Sequence, residues 1–237
     1  GDLLMRVLYR VRPYEREPGR ADKLYAKWVK KCKRSLEIAS TSVFNENVRA
    51  IVRDFDTMPL VDVKKPRVGL VGEILVKFHP TANNEVVKII ESEGAEAVMP
   101  DLTDFLLYSA FNADVREQYL SGSKMAKFVS NRIIDYIEHF RKVMREALKE
   151  STRFEAPPTI RELAEKTEPV ISLCTQMGEG WFLTGEMVEL IESGADNVIC
   201  MQPFACLPNQ VTGKGMIKAL KDRYPGANIV AIDYDPG

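Results

Sequence analysis

The feature that most constrains the fold is a rhythm that begins after Lys64-Lys-Pro-Arg67. Short apolar runs that read as buried strands alternate with segments of helical period. Val68-Gly-Leu-Val-Gly72, Ala95-Glu-Ala-Val-Met99, Pro169-Val-Ile-Ser-Leu-Cys174, Asn197 to Met201 and Ala227 to Ile232 are the expected strands. Glu85 to Glu93, Trp181 to Ser193 and Thr212 to Arg223 are the expected intervening helices. Such alternation argues a parallel sheet wound with right-handed crossovers. An internal echo strengthens the assignment. Glu85 to Val98 resembles Glu186 to Val198 with one residue deleted before the glycine, each copy being a helix, a glycine stop and a buried strand. Duplication and two solutions to one helix-to-strand geometry explain the echo equally well.

The rest of the chain is helical in pattern. Ala21 to Ala39 places Leu24, Trp28, Val29, Cys32, Leu36 and Ile38 near a 3.6 period, and Asn47 to Phe55 adds a second helix. Residues 101 to 168 form a helical insertion. In its longest helix, Lys124 to Lys149, Met125, Phe128, Val129, Ile133, Tyr136, Ile137, Phe140, Val143, Met144 and Ala147 share one stripe, expected to pack as core and brace the sheet. Thr159 and Glu162 have capping-box spacing. The expected architecture is α/β: a helical lead-in over 1–65, then a parallel-sheet, Rossmann-like or flavodoxin-like domain over 66–237 with the insertion at 101–168.

Composition sets outer bounds. The chain has 237 residues, 45% hydrophobic and 28% charged, with a net charge of −1, which favours neither nucleic acid nor membrane as a partner. No apolar run reaches the roughly 18 residues of a membrane span, and no signal-peptide pattern opens the chain, so a cytoplasmic location is expected. Arg6 to Arg34 is locally basic: a solvated or interdomain face, or a contact for a phosphate-bearing ligand or acidic partner. The start at Gly1 and the stop at Asp233-Tyr-Asp-Pro-Gly237, just past a strand, suggest a segment of a longer protein.

The cysteines Cys32, Cys174, Cys200 and Cys206 do not read as a disulfide framework. Cys206 lies in a proline-flanked loop, Pro203 to Pro208, at the carboxyl end of an expected strand, where open α/β sheets bind ligands. Its thiolate suits iron or zinc; packing as a free thiol is the bland alternative. Cys200 inside the strand reads as core, Cys32 as structural, and Cys174 sits at an expected strand end. Gly178-Glu179-Gly180 precedes a helix and could admit an anion to its amide groups, with Lys214 as a further contact; Lys214 also reads as a plain exposed residue. Neither stretch matches a dinucleotide or phosphate-loop fingerprint. The loop from Glu73 to Asn84 could bring Glu73, Lys77, His79 and Asn83 to the same crevice. No Ser-His-Asp set, zincin motif or carboxylate pair can be specified.

Four segments, Val68 to Asn84, Gly178 to Met187, Gln202 to Asn209 and Ala231 to Gly237, resemble the dehydratase-like region of 2-hydroxyacyl-CoA dehydratase activator-related proteins of anaerobes, a likeness that runs from about Leu8 onward. The resemblance implies similarity to iron–sulfur subunits in which cysteines hold a 4Fe-4S cluster. The cluster accepts an electron from an ATP-hydrolysing activator and passes it on to form a ketyl radical, permitting loss of an unactivated hydroxyl. Only Cys206 matches a cluster ligand; the others would come from other domains of the parent chain, and an acyl-CoA would be the substrate. A second expectation treats the crevice as a non-redox site for CoA or nucleotide phosphate, using Gly178, Glu179, Gly180 and Lys214. A third makes the region a docking scaffold.

Overall fold

The computed structural model describes residues 1–235; Pro236 and Gly237, which close the Ala231 to Gly237 motif, lie outside the described residues. The chain forms two compact units, residues 1–64 with 136–157, and residues 65–135 with 158–237.

Three helices open the first unit: α1 (Asp2–Val11), α2 (Arg20–Leu36) and α3 (Thr41–Asp56). The first lies outside the sequence expectation, although Leu3, Leu4, Val7, Leu8 and Val11 are all buried along one side of it. They share a core with Trp28, Val48, Ile51, Val52 and Phe55. Ser40 starts α3 by accepting a hydrogen bond from the Val43 amide.

The second unit holds β1 (Arg67–Gly72), α4 (Ile74–Phe78), α5 (Val86–Ser92), β2 (Glu96–Val98) and α6 (Leu102–Tyr119). A long helix, α7 (Lys124–Glu150), follows, then α8 (Ile160–Thr167), α9 (Gly180–Glu192), β3 (Asn197–Pro203), α10 (Leu207–Thr212), α11 (Ile217–Arg223) and β4 (Asn228–Tyr234). The four strands form one parallel sheet in the order β2-β1-β3-β4. Val71 stands opposite Cys200, and Cys200 opposite Ala231, so these alternate residues share one face. On it Val71, Val198, Cys200 and Ile229 pack with Leu183, Met187, Leu190 and Leu220 from α9 and α11.

The two echoing segments end their helices identically. Gly94 (φ 81°) and Gly194 (φ 79°) are left-handed. The amides after them, Ala95 and Ala195, return to the carbonyls of Ile90 (3.1 Å) and Leu190 (2.8 Å). This closure satisfies the last helical carbonyls and turns each chain into its strand. Thr159 and Glu162 form the expected reciprocal cap of α8.

Three expectations need correction. Pro169 to Cys174 is not a strand: the Thr167 carbonyl captures the amides of Val170 (2.8 Å) and Ile171 (3.1 Å), so the run continues α8 as turns and these two donors are unavailable to the sheet. Thr212 to Arg223 is not one helix, because Gly213 (φ −99°, ψ −86°) leaves helical geometry and separates α10 from a 3₁₀ turn at Lys214–Met216 and from α11. The stripe of α7 is not continuous core: Met125, Phe128, Val129, Ile133 and Tyr136 are exposed, whereas Val143, Met144, Ala147 and Leu148 are buried in the core of the first unit. Periodicity identifies residues that share a face but not what covers it.

That division is measurable by chemical denaturation. Leu148→Ala, at a fully buried position, is expected to cost about 2–5 kcal/mol of stability, and Phe128→Ala, 60% exposed, less than about 0.5 kcal/mol. Equal costs would contradict the assignment.

Candidate functional site

Parallel strands deliver their carboxyl ends to one edge of the sheet. With β2 on one side of β1 and β3 on the other, the loops leaving β1 and β3 diverge there, which is where open sheets bind ligands. Glu73 follows β1, the segment Phe204–Cys206 follows β3, and the start of α9 lies against them.

The β3 loop is not the helix-free segment that its prolines suggest. Pro208 occupies the first turn of α10, where a missing amide proton costs nothing, and Cys206 is the residue before that helix. The Cys206 amide bonds to the Pro203 carbonyl (3.1 Å), and Ala205 takes a left-handed conformation (φ 60°). Cys206 is half-buried. Asn209, fully buried one turn later, donates from Nδ2 to Cys206 Sγ (3.1 Å) and to Glu179 Oε2 (3.1 Å). One amide therefore joins the thiol to a carboxylate on the neighbouring helix. The amide oxygens of Asn209 and Gln202 are buried without a partner among the described residues. Such orphans cost about 1–3 kcal/mol each unless an outside donor meets them.

Gly178 and Gly180 set the start of α9. Both have positive φ (59° and 48°), and a Cβ on Gly178 would lie 2.7 Å from Pro208, while one on Gly180 would lie 2.3 Å from the Thr175 carbonyl oxygen. The loop thus rests directly on the Cys206 segment. Aromatic packing fixes it from the other side: Tyr108 stacks on Phe182 and meets Trp181 edge-on, and its hydroxyl lies within hydrogen-bond distance of the carbonyls of Gln176 (3.2 Å) and Gly178 (3.0 Å). The Trp181 indole donates to Asn112 Oδ1 (3.1 Å).

The start of α9 is acidic. Burial, with the nearby Glu73 carboxylate adding to it, raises the pKa of Glu179 above the usual range. Glu73 itself caps α4 by accepting from the Val76 amide (2.9 Å). Lys214 is exposed, 4.0 Å from Asp233 Oδ2. Asp233 also accepts from Gln202 Nε2 (2.6 Å).

The residues of the Glu73 to Asn84 loop separate. Lys77 turns inward to form a fully buried pair with Glu186 (2.6 Å). Burial raises the Glu186 pKa, against the opposing pull of Lys77. Asn83 is buried and holds the carbonyls of Val76 (2.8 Å) and Lys77 (3.2 Å). His79 is exposed. Cys174 is half-buried in the turns before α9, and Cys200 is buried in β3, where burial first and the Glu186 charge second push its thiol up to about 12. Cys32 is partly buried against the core of the first unit.

The structure brings Cys206, Gly178, Glu179 and Gly180 of the sequence expectation together and adds Asn209, Tyr108 and Glu186, which sequence reasoning does not single out. The one available signal for Asn209 is its place one turn after a cysteine at a proline-started helix. Among the described residues no group of three or more His, Cys, Asp or Glu side chains converges on a metal position, and no helix is long and apolar enough to cross a membrane. Comparison with protein-family models, curated proteins and solved structures finds no match to this chain.

The Lys77–Glu186 pair anchors the segment after β1 to α9. Lys77→Met is expected to cost about 3–5 kcal/mol at neutral pH by leaving a buried carboxylate uncompensated, with most of the loss recovered in Lys77→Met/Glu186→Leu. A Glu that titrates higher in the folded state loses stability as pH rises, so the single-variant penalty should disappear below the ordinary Glu range. Urea melts across pH check this; a neutral single variant would contradict it.

Proposed function

We propose that the second unit is a flavodoxin-like, doubly wound module of an iron–sulfur electron-transfer protein of the 2-hydroxyacyl-CoA dehydratase type, with Cys206 as one cluster ligand. The strand order β2-β1-β3-β4 is compatible with the flavodoxin-like winding, in which ligands sit at the divergence of β1 and β3. The observation that carries the reading is the Asn209 N–H directed at Cys206 Sγ at that divergence. Hydrogen bonds to sulfur tune the potential of iron–sulfur centres, and an outer-shell amide held in turn by a carboxylate orients the ligand it serves.

Cys206 would supply one ligand of a 4Fe-4S cluster, and the remaining thiolates would come from other domains of a parent chain. When bound, the cluster would supply single electrons to an acyl-CoA. Cys206 would hold it, Asn209 would orient the sulfur, and Tyr108 with Gly178 and Gly180 would shape the wall. Met177, Phe204 and Leu207 leave an apolar rim 68–80% exposed, suited to a covering domain that keeps water from the centre. The alternative, a CoA or nucleotide phosphate at Gly178, Glu179, Gly180 and Lys214, has less support: an acid with Glu73 beside it occupies the start of α9, and Lys214 faces Asp233.

Anaerobic reconstitution of the full-length protein with iron and sulfide tests the ligand role. The charge-transfer absorbance should be lost or converted to a smaller cluster in Cys206→Ser and kept in Cys32→Ser. An unchanged spectrum in Cys206→Ser would overturn it.

A further inference from the structure

The basic stretch near the N-terminus has a structural counterpart that the Cys206 site does not use. In the first unit a cavity of about 430 Å³ is lined by Arg20, Lys23, Leu24 and Lys27 of α2 and by Asp54, Thr57 and Met58 at the end of α3. Its volume lies within the roughly 300–1,000 Å³ of small-molecule sites. Arg20, Lys23 and Lys27 are spaced three and four residues apart, so they share one helix face over about 10 Å.

These cations are not committed to the fold. Arg20 meets Glu17 (3.0 Å) in a pair whose acid is 71% exposed, and such pairs hold weakly. Lys27 stands 4.0 Å from Asp54, and Lys23 has no acidic partner among the described residues. At the start of α2 the amides of Gly19 (2.6 Å) and Ala21 (2.7 Å) are taken by the Glu15 carboxylate, and that of Arg20 by the Glu17 carbonyl (3.1 Å). An anion here would therefore be read by side chains.

Asp54 adds selectivity. Its Oδ2 accepts from the buried Trp28 indole (3.0 Å), which fixes a carboxylate among three cations. A bare anion gains nothing from that group, whereas a ligand that carries hydroxyl or amino donors beside its phosphates can bond to it. Buried Met58 and partly buried Leu24 supply an apolar floor.

We propose that this cavity binds a nucleoside diphosphate: diphosphate along Arg20, Lys23 and Lys27, sugar hydroxyls on Asp54, and the base over Leu24 and Met58. The proposal is independent of the role of Cys206. Calorimetry of the full chain with ADP, pyrophosphate and adenosine at low and at physiological salt tests it. Saturable ADP binding is expected, at least tenfold tighter than pyrophosphate, weakened by salt, and undetectable for adenosine. Lys23→Glu and Lys27→Glu should each weaken ADP tenfold or more, and the exposed Lys218→Glu should not; Arg20→Ala serves should a charge reversal disturb α2. No saturable ADP binding up to millimolar concentration would overturn the proposal. Pyrophosphate binding as tightly as ADP, or equal weakening by Lys218→Glu, would overturn it as well.

Discussion

All four strands of the sheet run the same way, and that constraint decides which loops meet at one edge. Parallel pairing sends each strand's carboxyl end to one edge, and the order β2-β1-β3-β4 separates the loops after β1 and β3 at that edge. Cys206, Asn209, Glu179 and Glu73 are neighbours only because of it. The register that places Val71 opposite Cys200 puts small and branched side chains under α9, and a sheet covered this way presents its open edge in a fixed geometry.

Two supports hold the edge. The Lys77–Glu186 pair ties the segment after β1 to α9, and the aromatic cluster around Tyr108 and Trp181 holds the turns that lead into α9. Both act on the same helix from different sides, so the position of Glu179, and through it of Asn209, follows from buried contacts rather than from the mobile conformation of a loop. Breaking a buried ion pair is costly even where the pair itself adds little net stability, and this one fixes the helix start at which Glu179 meets the Asn209 amide (3.1 Å).

Much of this architecture was legible in the sequence, and the failures share one cause. Val68 to Gly72, Asn197 to Met201 and Ala227 to Ile232 announce themselves as strands because apolar side chains on both faces leave few alternatives. Gly94 and Gly194 announce the ends of their helices because left-handed closure favours glycine. Pro169 to Cys174 carries a similar apolar run, yet its first two backbone donors, Val170 and Ile171, are claimed by the Thr167 carbonyl, a local closure that composition does not encode. The stripe of α7 and the inward turn of Lys77 depend on tertiary neighbours in the same way. Cys206 was visible as an unusual thiol between prolines; Asn209 was not, since its importance comes from the two groups that its amide joins.

The central claim is that Cys206 stands at an accessible edge while Cys200, six residues earlier, is sealed in the sheet. Mass-spectrometric footprinting with a thiol alkylating agent across a urea titration measures this directly. Cys206 should be modified under native conditions at neutral pH, and Cys200, whose thiol is raised to about 12 by burial, only as the second unit unfolds. Protection of Cys206 up to the same transition as Cys200 would contradict the claim.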